Sequence, residues 1–98
     1  MDSRFLNVVV NGDSMWPTLK QGSTASFERV DWNSVSRGQV VLLDHPFRPN
    51  LRIIKRIQSI ENGRIFVVGD NPDPTASEDS HNFGEVDASL VIAVLVSQ

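Results

Sequence analysis

The run Leu51-Arg52-Ile53-Ile54-Lys55-Arg56-Ile57-Gln58-Ser59-Ile60-Glu61-Asn62-Gly63-Arg64-Ile65-Phe66-Val67-Val68 decides the fold class. Two stretches rich in β-branched residues flank Asn62-Gly63. That pair suits a tight hairpin turn, because glycine takes φ > 0 without a Cβ clash. The reading is a strand over 51–60, a turn, and an antiparallel strand over 64–68. Successive side chains of a strand point to opposite faces. Ile53, Lys55 and Ile57 then share one face, and Arg52, Ile54 and Arg56 share the other. Lys55 lies between two isoleucines on the more apolar side.

Working outward, similar β-branched runs bounded by Gly, Pro, Asn and Asp predict strands over 6–10, 24–30, 39–43 and 90–96. Helical periodicity is scarce, with short helical turns near 16–19, 31–35 and 87–90. Trp32 reads as a core residue. The pattern predicts a mainly β fold, a compact antiparallel sheet or barrel-like core with short helical turns, in a single domain over 1–98. Residues 69–84 hold two prolines and no apolar period, and read as a loop. A loop of that length in so small a domain commonly carries function.

Composition narrows the classes. With 40% hydrophobic and 21% charged residues the chain has the make-up of a folded domain, not a disordered one. Its net charge is −3, and Arg48, Arg52, Lys55, Arg56 and Arg64 are too dispersed to form a nucleic-acid stripe. Nucleic acid is therefore not an expected partner. There is no cysteine, hence no disulfide, thiolate metal site or cysteine nucleophile. His45 and His81 are too far apart for a local metal motif, so no metal or cofactor is expected. The apolar runs 8–10, 40–43 and 91–96 fall far short of the ~20 residues that cross a bilayer. Residues 1–7 do not read as a signal peptide. The expectation is a soluble, cytoplasmic protein beginning at Met1.

Two residues invite chemistry. A lysine in apolar surroundings loses hydration of its charged form, its pKa falls, and the neutral amine can act as a general base. On the strand alone, Lys55 can equally snorkel past its neighbours to water. Ser14 follows the first apolar run in Asn11-Gly12-Asp13-Ser14-Met15-Trp16-Pro17-Thr18-Leu19. Gly12 permits a sharp turn and Pro17 stiffens its exit, which displays a hydroxyl beside backbone N–H groups. The alternative is that Asp13 or Ser14 only caps a turn.

The string Gly12-Asp13-Ser14-Met15-Trp16-Pro17-Thr18-Leu19 resembles the nucleophile box of signal peptidase I, Gly-Asp-Ser-Met-x-Pro-Thr-Leu. Arg37-Gly38-Gln39-Val40-Val41 resembles the family's Gly-Asp-Val-Val strand. Ile54-Lys55-Arg56-Ile57 resembles its lysine box. Gly69-Asp70-Asn71, Ser77, Asp79-Ser80, Gly84 and Val86 resemble its last box. Four boxes in order span residues 12–86. The resemblance implies a mainly β peptidase core with a Ser–Lys dyad, in which Ser14 is the nucleophile and Lys55 the general base. It implies that the Ser14 amide donates to the oxyanion and that Ser77 orients the lysine. Gly12 stands where some relatives place a further oxyanion serine. Gly12, Asp13, Pro17, Arg56, Asp70, Asn71 and Asp79 match structural positions near the site, with Asp79 expected to pair with Arg56. His81 replaces the usual arginine, and the last box holds two extra residues within 72–76.

The size of the chain and the Asp-Asn-Pro-x-x-x-x-Ser-x-Asp-Ser pattern resemble the small nickel-type superoxide dismutase maturation proteases of bacteria. That resemblance implies removal of an N-terminal extension from a precursor. The substrate is expected to lie as an added strand, with Met15 and Trp16 exposed beside the nucleophile and bordering the groove, or with Trp16 packed in the core instead. The alternatives are a soluble signal peptidase core acting on secretory precursors, and a non-catalytic β module that binds peptides. The self-cleaving repressors of the DNA-damage response have a similar nucleophile box. They need a regulatory segment and an upstream cleavage bond such as Ala-Gly, which this sequence lacks.

Overall fold

The computed structural model describes residues 4–97. Seven strands form one antiparallel sheet: β1 Phe5–Val9, β2 Thr24–Arg29, β3 Val40–Asp44, β4 Arg52–Glu61, β5 Arg64–Val68, β6 Val86–Asp87 and β7 Val91–Ser97. Their order is β1-β2-β7-β3-β4-β5-β6, and the sheet curls into an open half-barrel. The mainly β, antiparallel reading of the sequence therefore holds. The β4–β5 hairpin turns on Asn62 (φ 53°) and Gly63 (φ 76°), the two positive values that match the twist of its strands. Register shifts at Ser26/Phe27, Leu42/Leu43 and Ile57/Ser59 mark bulges, which strengthen local twist and curl the sheet.

Curling lets the central strand bury both faces. From β3, Val40 and Leu42 pack with Val10, Met15, Leu19, Ala25, Phe27 and Ala93. Val41 and Leu43 pack on the other side with Ile57, Ile65, Val67, Val86, Ala88 and Val91. This is why residues 40–43 read as an unbroken apolar run with no alternation. On β4 the alternation is kept, with Ile53 and Ile57 on the second cluster and Ile54 against the first.

Two of the open strand edges border the groove described below. β1 pairs only with β2. β4 pairs with β3 through Arg52–Arg56 but with β5 only from Arg56 onward, so residues 52–55 present a free edge. Counting antiparallel neighbours from β1 through β2, β7 and β3 to β4 shows that β1 and β4 run the same way.

Two expectations change. Residues 69–84 are not structureless. They hold a 3-10 helix, Pro74–Ala76, capped by Asp73, and a one-turn helix α1, Ser80–Phe83, capped by Asp79 in a capping box with Asn82. Elements this short bury too little to show an apolar period. Trp32 is 42% exposed instead of core, because Asp31 caps a surface 3-10 helix, Trp32–Ser34, with no buried residue. The short turn expected near residues 16–19 is present, closed by Leu19 N–H donating to Met15 O at 2.9 Å.

Candidate active site

The Ser14 turn is held from below and from one side. Met15 and Leu19 are fully buried on either side of it and sink into the first core cluster. Gly12, at φ 83°, makes the bend that brings the chain off β1. The expectation of an exposed Met15 is thus corrected: its side chain is core and reaches the groove only as part of its wall. Trp16 is 45% exposed but lies outside the groove lining.

Residues Gly69, Asp70 and Asn71 clamp this turn to β4. Asn71 N–H donates to Ser14 O at 3.0 Å, and its side-chain Nδ2 donates to Asp13 O at 2.8 Å. Asp70 accepts from Thr18 Oγ1 at 2.6 Å and from Arg56 Nε and Nη2 at 2.8 and 2.6 Å. Arg56 Nη1 also donates to Gly38 O. Arg56 therefore pairs with Asp70 and not with Asp79. The reason is geometric: Arg56 leaves β4 on the opposite face from Lys55, towards Asp70 and Thr18. The Arg56 hydrogen bond, aided by Thr18 and opposed by burial, holds the Asp70 carboxyl below its ordinary 3.8. Its stabilisation is complete above that ordinary value and is lost as pH falls through the lower folded value. Asp70→Asn is expected to cost about 1–2 kcal/mol at neutral pH. Unfolding followed from pH 5 to 2 should then show less acid sensitivity in the variant than in wild type.

Gly69 has no room for a side chain. A Cβ there would lie 2.5 Å from Ser77 Oγ and 2.6 Å from Ser14 O. One contact is backbone and cannot swing away. Gly69→Ala is expected to destabilise by about 1–3 kcal/mol and to part the two serines. Thermal unfolding reads the first effect, and a Tm equal to wild type would contradict the close approach.

Lys55 is only 4% exposed. Burial lowers its pKa from 10.5, against the opposing pull of Asp79 and Glu78. Its Nζ donates to Ser77 Oγ at 3.1 Å. Ser77 in turn donates to Asp79 Oδ2 at 3.2 Å, and Gly69 N–H donates to the same oxygen at 3.1 Å. Asp79 Oδ1 accepts from His81 N–H at 2.9 Å and lies 2.9 Å from His81 Nδ1. Burial would raise the Asp79 pKa, but these hydrogen bonds outweigh it and hold the carboxyl below its ordinary value. A hydroxyl has one hydrogen. With that hydrogen on Asp79, Ser77 receives an N–H from Lys55, and the lone pair of a neutral Lys55 stays available.

Ser14 and Lys55 line one open groove of about 670 Å³, bounded by β1, the Ser14 turn, residues 51–55 and residues 76 and 78. No hydrogen bond links Ser14 to Lys55 among the described residues, and the Ser14 N–H donates to none of them. Gly12 and Asp13 also line the groove. Sequence reasoning did not single out Thr18, Gly69, His45 or Glu78 as partners in this network. His45 and Glu78 are 33 positions apart yet hydrogen-bonded, and no local spacing announces such a pair.

Among known proteins, no curated sequence matches this chain. Residues 2–88 match the model of a family described as Peptidase S24-like, a span that holds Ser14, Lys55, Ser77 and every residue of the clamp. The match covers most of the chain and accords with a serine-peptidase function. The chain belongs to the Peptidase S24-like family.

Proposed function

We propose that the protein is an endopeptidase with a Ser14–Lys55 dyad that cuts an N-terminal extension from a precursor protein. The observation that carries this reading is Lys55: buried, with a lowered pKa, held by Ser77, and open to the groove that Ser14 also lines. A neutral Nζ takes the Ser14 Oγ proton as Oγ bonds to the scissile carbonyl carbon. The carbonyl π pair moves to oxygen, where the Ser14 N–H donates to it. Lys55 then passes its proton to the departing amine nitrogen, and the peptide C–N bond breaks. Water, deprotonated by Lys55, attacks the acyl ester; the proton returns to Ser14 Oγ and the acid product leaves.

The substrate segment is proposed to lie extended between the free edges of β1 and residues 52–55, adding a strand to both. Both edges run towards the dyad, so one strand direction satisfies them together. Strand addition leaves sequence reading to the side chains that line the groove. The resemblance of the last box to the nickel-type superoxide dismutase maturation proteases makes that precursor the proposed substrate, in a bacterial cytoplasm. Among the described residues no helix is long and apolar enough to cross a membrane.

The lysine base has a direct test. Only neutral Lys55 is active, so kcat/KM is expected to rise with pH along an acid limb that ends below the ordinary lysine value. A rate flat from about pH 5 to pH 10 would remove lysine from the base role.

A further inference from the structure

Beyond the dyad, the groove runs into a second cleft of about 560 Å³ under the β3–β4 loop, and the two share His45, Arg48 and Arg52. This cleft is built around a buried ring. The His45 side chain is 5% exposed, and its Nδ1 accepts from the N–H groups of Phe47 at 3.0 Å and Arg48 at 3.1 Å. Nδ1 is therefore the bare nitrogen, and Nε2 carries the hydrogen that it donates to Glu78 Oε1 at 2.8 Å. Phe83 packs edge-on against the ring at 5.3 Å. The other Glu78 oxygen accepts from Arg48 Nη2 at 3.3 Å.

Valence then decides what the cleft takes. Both oxygens of Glu78 are already engaged. Arg48 gives one N–H of its five to Glu78, and its side chain is 63% exposed. Arg52, 54% exposed, has Asp44 at 3.7 Å, beyond hydrogen-bond reach. Asp44 also lines the cleft and balances the charge of Arg52 as Glu78 balances that of Arg48, so what stays unspent here is N–H donor capacity on the two guanidinium groups. The ligand chemistry it fits is a carboxylate received by two guanidinium forks.

We propose that Arg48 and Arg52 form a subsite for an aspartate or glutamate side chain of the bound peptide. This deepens the peptidase reading and rests on it. Arg52 precedes Lys55 by three residues on β4, about 10 Å at ~3.3 Å per residue, and although it leaves the opposite face of the strand it lines the same groove at the open edge. The acidic residue therefore lies about three or four positions from the cut bond. The subsite sets specificity and takes no part in bond breaking.

Two readouts separate this proposal from the protease assignment. Randomised decapeptides displayed on phage are selected on immobilised Ser14→Ala protein, and a free decapeptide library is digested by wild type with cut positions mapped by mass spectrometry. Binders, and substrates if any are cut, should carry Asp or Glu at one fixed position about three- to tenfold above chance. Arg48→Gln combined with Arg52→Gln should erase that preference, while each single variant weakens it. Acid-selective binding without cleavage sustains the subsite and sinks the protease. Cleavage without an acid preference, a preference untouched in the double variant, or no peptide binding at all overturns the subsite.

Discussion

Ser14→Ala is expected to lower cleavage by about 10⁴-fold or more while leaving the fold as it is, because removing the nucleophile from a catalytic unit forfeits nearly all of its acceleration. The Ser14 hydroxyl makes no hydrogen bond among the described residues, so its loss should move stability by no more than about 0.5 kcal/mol. Lys55→Met should lose as much activity for a different reason, and it separates chemistry from stability. Folded Lys55 has a lowered pKa, so between that value and 10.5 the unfolded chain holds a proton that the folded chain gives up. The resulting cost to folding is complete below the folded pKa and fades as pH rises towards 10.5. The apolar variant is spared that cost. Its Tm should exceed wild type by a few degrees, about 4–8 °C per kcal/mol in a domain of this size, at neutral pH and converge with it near pH 10.5. An active Lys55→Met, or one less stable than wild type at pH 7, would contradict a buried lysine base.

Ser77→Ala carries the next largest effect. Ser77 is the acceptor that fixes the Lys55 amine, and without it Nζ is free to rotate away from Ser14. A fall of about 10- to 10³-fold in kcat with KM little changed is expected, with Ser77→Thr restoring part of the rate. Asp79 acts through Ser77 and also through its charge, which pulls the Lys55 pKa up against desolvation. Asp79→Asn keeps a polar cap on α1 but removes that charge, so the acid limb should move to lower pH. A limb unmoved in Asp79→Asn, or full activity in Ser77→Ala, would show that this chain of contacts does not govern the lysine.

The strands were legible because each obeys a local rule: the Asn62-Gly63 turn, the alternation along β4, the apolar run of β3. The free edges and the half-barrel were not, since curvature comes from bulges that sequence periodicity does not mark. Ser14, Lys55 and Ser77 were singled out by short motifs, and the fold brings Lys55 and Ser77 within hydrogen-bond distance. Arg56 was assigned to the wrong carboxylate. Asp70 and Asp79 both lie in the segment that follows β5, and the face from which Arg56 leaves β4 decides between them. His45 and Glu78 escaped notice because their contact spans two loops, and Met15 was expected to be exposed although a residue beside a half-buried serine can still point into the core.

The intact mass of a nickel superoxide dismutase precursor, read after incubation with wild type and with Ser14→Ala, shows whether Ser14 cuts it. Loss of one defined N-terminal segment is expected with wild type, and an unchanged mass with the variant. A precursor cut equally by both proteins, or left whole by wild type, would contradict it.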